Sequence, residues 1–276
     1  MKHFKQKKIA LVNDITGFGR CSIAVALPII SALKVQCCFL PTAILSNHTG
    51  FNNFFFEDYT PKMREYISNW EKINLSFDGI CTGFLGSSEQ IDIVMEFLEK
   101  FKTKDNLTII DPVMGDYGKL YCTYTDEMCS KMQHLVKFAD VLTPNLTELC
   151  RLLDINYPSN TPTHEELYSL CKNLSQRGPS KIVITGLQRN DYIENFIFEN
   201  NKPYNIVKVK KVGVDRSGTG DVFTSIVSAS LVKNEDFTSS VQKAADFISK
   251  ALTYAEKINL PNNYGVCFEE FLTELK

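Results

Sequence analysis

Residues 210–232 read KKVGVDRSGTGDVFTSIVSASLV, with two glycines, a threonine and a carboxylate set directly ahead of an apolar run. Val222, Phe223, Ile226, Val227, Ala229 and Leu231 recur at helical spacing, which predicts a helix over 220–233 with Gly218, Thr219, Gly220 and Asp221 at its first turn. Backbone N–H groups in that turn have no partner within the helix. Glycine permits backbone conformations and close approaches that a side chain would block, so these N–H groups can converge on one point. A phosphate fits such a point, and the helix dipole adds partial positive charge to it. Asp221 would repel an anion there. It reads either as a favourable first-turn acid, or as a base that points past the anion and stays ionised to accept a proton from an attacking hydroxyl.

Outward from this turn, short apolar runs alternate with helical patterns over most of the 276 residues. The spacing predicts strands over 9–12, 37–41, 79–82, 107–110, 141–143 and 181–185, and helices over 22–33, 88–101, 126–138, 147–153, 165–175 and 238–256. Pro28 should kink the first helix. Alternation over 192–198 and 204–212, joined by Asn200, Asn201, Lys202 and Pro203, predicts an antiparallel edge hairpin. The class expected is α/β: a three-layer α/β/α sandwich on a mostly parallel central sheet, with ligands beyond the carboxyl ends of the strands. No repeat, low-complexity tract or long linker interrupts the chain, so 1–276 reads as one domain.

A composition of 44% hydrophobic and 22% charged residues is ordinary for a globular domain, and a net charge of -2 argues against a dedicated nucleic-acid or anionic-membrane surface. Any anion site must therefore be local. No uncharged run approaches the ~18 residues of a membrane span, and the opening MKHFKQKK leads into an apolar strand instead of a signal-peptide core. Nine cysteines, an odd count without a CxxC pair, read as reduced core residues. The expectation is a cytoplasmic protein with no membrane or nucleic-acid partner.

Further candidates lie on other strand ends. Asp111 follows the apolar run 107–110 and precedes Pro112, which holds it extended. Asp116 lies five residues on, and the pair reads either as a turn rich in Asp, Pro and Gly or as a magnesium site beside phosphates. Glu148 stands three residues after Asn145, the spacing of a helix cap. His48 and Thr49 offer a ring and a hydroxyl suited to the polar substituents of a ring-bearing substrate, and Phe84 an apolar wall for it. Both the histidine and the phenylalanine can equally be structural.

GTGDVF (218–223) resembles the anion-hole signature of the ribokinase-like superfamily of small-molecule kinases. SNHTG (46–50), DPVMGD (111–116) and TPNLTE (143–148) are similar to motifs of pyridoxal kinases and follow the order of that family. With the opening VNDITGFGRCS (12–22), the resemblance spans essentially the whole chain and points to the bacterial pyridoxine/pyridoxamine kinase branch. It implies ATP-dependent phosphorylation of the 5'-hydroxymethyl group of pyridoxal, pyridoxine or pyridoxamine, with Mg2+, a monovalent cation such as K+, and a homodimer. Asp221 would be the base and Gly218, Thr219 and Gly220 the anion hole. Asn13, His48 and Thr49 would contact the vitamer, although many relatives carry serine at the position of Asn13. Asp111, Asp116 and Glu148 would hold magnesium, Thr143 and Asn145 would line the phosphate path, and Thr185 and Gly186 would contact the ATP phosphates. Lys210, Lys211 and Arg216 are candidates to cover those phosphates, and Val214 and Val222 to flank the adenine.

The rival within the fold is a hydroxymethylpyrimidine kinase, alone or as a second specificity; its usual Ser-Gly-Gly-Ala-Gly type of opening is replaced here by DITGFGRCS. A nicotinamide-dependent oxidoreductase, suggested by GFGRCS, fails because Ser22 stands at the third glycine position and no acid closes the strand over 37–41.

Overall fold

The structure, a computed structural model, describes residues 6–275; most of the basic opening MKHFKQKK lies outside them. In chain order the elements are β1 (Lys8–Thr16), α1 (Ser22–Ala32), β2 (Gln36–Leu45), β3 (Phe56–Asp58), α2 (Thr60–Lys72), β4 (Gly79–Thr82), α3 (Ser88–Phe101), β5 (Leu107–Ile110), β6 (Gly115–Asp116), β7 (Lys119–Leu120), α4 (Asp126–Leu135), β8 (Val141–Leu142), α5 (Leu146–Leu153), α6 (His164–Ser175), β9 (Lys181–Arg189), β10 (Tyr192–Glu199), β11 (Asn205–Lys210), α7 (Thr219–Val232) and α8 (Phe237–Lys257). Nine strands form one sheet in the order β11-β10-β9-β8-β5-β4-β1-β2-β3, and β6 and β7 form a separate two-stranded flap. β2, β1, β4, β5, β8 and β9 pair in parallel, while β3, β10 and β11 join antiparallel at the two edges.

Successive strand residues point to opposite faces, and each face buries its own core. Ala10, Val12, Ile80, Ile110, Leu142, Ile182 and Ile184 pack with α2 to α6. Ile9, Leu11, Cys81, Ile109, Val141 and Val183 pack with α1, α7 and α8. Helices therefore cover both faces, giving a ribokinase-like α/β sandwich. Every residue of α7 from Val222 to Val232 is buried, because α7 lies between the sheet and its neighbours α1 and α8.

Pairing register brings the candidate residues to one edge. Gly83 N–H donates to Val12, Asp111 N–H to Thr82 and Thr143 N–H to Ile110, at 2.8, 3.2 and 3.2 Å, so β4, β5 and β8 end at a common level, beside the register shift of β1 that follows Asn13. Asn13, Gly83, Asp111 and Thr143 stand side by side just past that level. β9 continues the line through an isolated bridge between Thr185 and Asn145.

Several bounds differ from those predicted. β2 runs on to Leu45, beyond Pro41; β3 pairs only with Ala43–Leu45, so the outer edge of β2 is open at Pro41 and the missing N–H breaks no ladder bond. α1 passes through Pro28 as one helix. β9 extends to Arg189 and turns directly into β10, making the predicted hairpin part of a three-strand meander. β3, α2, β6 and β7 are additions. All nine cysteines are free, and six of them are buried.

Candidate active site

α7 opens on the glycine turn. Gly218 is its N-cap, at φ +82°, and a Cβ added there would lie 1.8 Å from the Arg20 carbonyl oxygen, so no other residue fits. Val222 N–H makes the first helical bond, 2.9 Å to the Gly218 carbonyl, which leaves the preceding amides of Thr219, Gly220 and Asp221 without intrahelical partners. A Cβ at Gly220 would meet nothing within 4 Å. The turn thus carries amides without helical partners and has open space beside Gly220.

Asp221 stands on this turn and is fixed by two donors: Asn13 Nδ2 at 3.1 Å and the backbone N–H of Ser22. Desolvation pushes its pKa up to about 6, against the pull of the Ser22 N–H and the Asn13 amide and with a further push from Asp14. The helix start therefore does not hold it in the ordinary carboxylate range, although it still ionises near neutral pH. Asn13, which resemblance assigns to the vitamer, has its amide engaged within the protein. Its Oδ1 accepts from Asp14 N–H at 3.0 Å and Phe84 N–H at 2.9 Å, while Nδ2 serves Asp221. It ties β1 and the end of β4 to the carboxylate on α7, and Phe84 is half-buried beside it.

Asp111 is buried at the end of β5 and accepts from Thr224 Oγ1 at 2.9 Å; Thr224 lies 3.2 Å from Thr143 Oγ1. Burial, and then the neighbouring Asp221, push Asp111 up to about 7. Glu148 accepts from Met114 N–H at 3.1 Å and Asn145 N–H at 2.8 Å, while Asn145 Oδ1 accepts from Glu148 N–H at 3.0 Å. This is the predicted cap, in the reciprocal form of a capping box on α5. Burial, then Asp111, raise Glu148 well above the usual range. A cavity of about 10 Å³, room for about one water, lies among Asn13, Thr82, Asp111, Asp221 and Thr224, and the buried Thr82 Oγ1 has no protein partner.

Asp116 opens the flap. Asn145 Nδ2 donates to the Gly115 carbonyl and Gly118 N–H to Thr147 Oγ1, both at 2.8 Å, while the Tyr117 hydroxyl donates to Asp215 across the cleft. Among the described residues no three His, Cys, Asp or Glu side chains converge closely enough to hold a metal by themselves, so Asp111, Asp116 and Glu148 do not form a closed metal cage. Their chemistry still fits magnesium, which keeps much of its water shell and binds through one or two carboxylates plus phosphates. Asp111 and Glu148 are buried acids that repel one another, which a bound cation would relieve. Thr185 lies at the bridge to Asn145, and Gly186, at φ +70°, faces open space.

On the acceptor side, both His48 nitrogens are occupied. Gly50 N–H donates to Nδ1 at 3.1 Å, which places the ring proton on Nε2, and Nε2 lies 2.8 Å from the Asn263 carbonyl and 3.2 Å from Ser217 Oγ. The ring fixes loops and is not an open hydrogen-bonding group for a substrate. Thr49 beside it is exposed, and a cavity of about 340 Å³ is lined by Gly50, Phe51, Asn52, Asn53 and Asn263.

Two other expectations change. Arg216 neither covers phosphates nor projects into water: it is buried and bonded to Glu256, Leu260 and Pro261. Val222 is wholly buried in the α1/α7/α8 core and is closed to an adenine, whereas Val214 is exposed.

A parallel sheet whose strand ends converge on a glycine turn of free amides, with a carboxylate on the same helix and a row of buried acids behind it, is the arrangement of the ribokinase-like small-molecule kinases. The sequence pattern of the phosphomethylpyrimidine kinase family matches residues 26–266, and the chain belongs to that family. A Bacteroides thetaiotaomicron protein, named as a candidate phosphomethylpyrimidine kinase and crystallised with pyridoxal, is 38% identical; it superposes with a TM-score of 0.94 over 98% of this chain and 96% of its own. The pyridoxal kinase PdxY of Leifsonia xyli is 24% identical over 91% of each chain. The thiamine biosynthetic bifunctional enzyme TH1 of Arabidopsis thaliana is 24% identical over 95% of this chain, which spans about half (49%) of that enzyme's length.

Proposed function

We propose that this protein is a pyridoxal kinase, transferring the γ-phosphoryl group of ATP to the 5'-hydroxymethyl group of a B6 vitamer. The observation that carries the reading is the placement of Asp221. It stands on the anion turn itself, aimed by Asn13 and Ser22 at the sheet edge flanked by the acceptor loop. The similar protein crystallised with pyridoxal supports the choice of acceptor.

The alcohol oxygen attacks the γ-phosphorus as the bond to the β–γ bridging oxygen breaks. Its proton passes to Asp221, and charge on the transferring oxygens is met by the anion turn of Gly218, Thr219 and Gly220 without reorganisation. Asp111, Asp116 and Glu148 would hold magnesium through its water shell, and the ion supplies charge neutralisation at the phosphates. Thr143, Asn145, Thr185 and Gly186 line the nucleotide side. Thr49 and Phe84 contact the vitamer ring, with His48 and Asn13 setting their positions.

The proposal extends to the rest of the molecule. The single nine-stranded sheet supports one domain over 1–276. Exposed Phe54, Phe55, Phe56 and Ile44 along the β2–β3 edge support a homodimer. Nine free cysteines, with no helix among the described residues long and apolar enough to cross a membrane, support a cytoplasmic location. A monovalent cation such as K+ accompanies magnesium by family resemblance.

Hydroxymethylpyrimidine is the second reading, favoured by the family pattern and by the similarity to the thiamine enzyme. One panel separates them: ATP consumption by the purified protein with pyridoxal, pyridoxine, pyridoxamine and hydroxymethylpyrimidine, with mass detection of each phosphorylated product. The highest kcat/KM is expected with a B6 vitamer. Product from hydroxymethylpyrimidine alone would overturn the assignment.

A further inference from the structure

Gly213, Val214 and Asp215, in the segment that leads into the anion turn, are exposed; Arg216 alone turns inward, and its side chain is only 2% accessible. An arginine is almost never buried so fully without partners. Its Nη1 donates to the Leu260 carbonyl at 2.9 Å and the Pro261 carbonyl at 3.1 Å, and its Nη2 to Glu256 Oε1 at 2.8 Å. These acceptors lie at the end of α8 and in the turn that follows it, 40 to 45 residues further along the chain. Thr219 Oγ1, from inside the anion turn, bonds back to the Arg216 carbonyl at 3.2 Å. Ser217, the next residue, donates to the Gly19 carbonyl at 3.0 Å.

We propose that Arg216 is a positioning residue for phosphoryl transfer, a clamp that fixes the anion turn against the C-terminal turn at 260–265. The inference rests on the kinase reading above. The run 211–218 belongs to no helix or strand, so no backbone ladder sets where Gly218 begins α7. The planar fork of a guanidinium, bonding two carbonyls and a carboxylate from one rigid group, supplies that constraint. The brace reaches the acceptor side as well. Asn263 of the same C-terminal turn accepts from His48, and the Tyr264 carbonyl accepts from Arg20 Nη1 at 3.0 Å. The C-terminal turn therefore holds the anion turn and the acceptor loop in one frame, and the free amides are aimed from outside the motif that carries them.

The test is Arg216→Lys, which keeps the charge and removes the fork, beside Arg216→Met and Glu256→Gln. In Arg216→Lys kcat is expected to fall about 10- to 100-fold, since misplacement near 1 Å costs about that much. KM for ATP should move less than about 3-fold, because the loss falls in the transition state. Amide hydrogen exchange over 213–221 should rise while that of β1, β4 and β5 stays unchanged. Glu256→Gln retains an acceptor oxygen and should keep most of the activity. Arg216→Lys with wild-type kcat, or exchange rising equally throughout the sheet, overturns the clamp, and the lysine variant decides should the methionine variant fail to fold. An unmodified protein that phosphorylates none of the panel refutes the kinase reading instead.

Discussion

The anion turn and the acceptor loop over 46–53 face the same sheet edge but are built on opposite principles. The turn is made of backbone: Gly218 is the only residue that fits against the Arg20 carbonyl, and the groups offered to a ligand are amides. The loop is made of side chains, with Ser46 bonded to Asn47, Asn47 to the Asn53 carbonyl, and His48 to Asn263. A charge that develops identically on every substrate calls for a fixed backbone site. A ring that differs between substrates calls for replaceable side chains, so under the proposed function the turn would set the reaction and the loop the acceptor.

Substitutions in the two regions should accordingly fail in different ways. Gly218→Ala has the largest expected effect, a fall in kcat of about 100-fold or more, because the methyl group forces the turn away from Arg20. Steady-state kinetics beside a thermal melt would show it, and wild-type kcat would remove the turn from the chemistry. Gly220→Ala sharpens the contrast. Its methyl group meets no protein atom, so stability should rise by about 0.5–1 kcal/mol, while kcat falls about 10-fold as the methyl occupies the space of the anion. On the other side, His48→Gln should raise KM for the acceptor about 3- to 10-fold, the worth of one or two hydrogen bonds, with KM for ATP unchanged. An equal rise in both would merge the two regions into one.

The smallest effect is one of pH. Asp111 and Asp221 bind a proton more tightly folded than unfolded, since burial pushes them up to about 7 and about 6. Their contribution to stability is full below about pH 4, where the unfolded carboxylates are also protonated, and is lost as pH rises through the folded values. The melting temperature of the free protein should therefore drop between about pH 4 and pH 7 from these two groups. Magnesium with nucleotide should raise it more at about pH 8 than at about pH 5.5, since the ion binds the ionised acids. Equal shifts at both values would separate these acids from the metal.

The same contrast governs how much could be read from sequence. The inner strands were legible because each alternates between two cores, and the turn because glycine at 218 is a steric necessity. α2 was not, since only Thr60, Met63 and Ile67 are fully buried, Tyr66 and Trp70 pack on the core while half-exposed, and the aromatic run over 54–56 obscures its start at Thr60-Pro61. The flap strands hold two residues each, too few to carry a period. The surroundings of Arg216 and His48 were not legible for a shared reason: their partners at 256–263 are distant in sequence, so nothing local distinguishes a buried clamp from an exposed basic residue, or a loop brace from a substrate ligand.

Single-turnover phosphoryl transfer from ATP to pyridoxal by Asp221→Asn, measured together with nucleotide affinity, tests the central claim most directly. Loss of the base should slow transfer by about 10²- to 10⁴-fold while nucleotide still binds as in the wild type. Transfer at the wild-type rate would contradict the role of Asp221 and, with it, the assembly of the site around the mouth of α7.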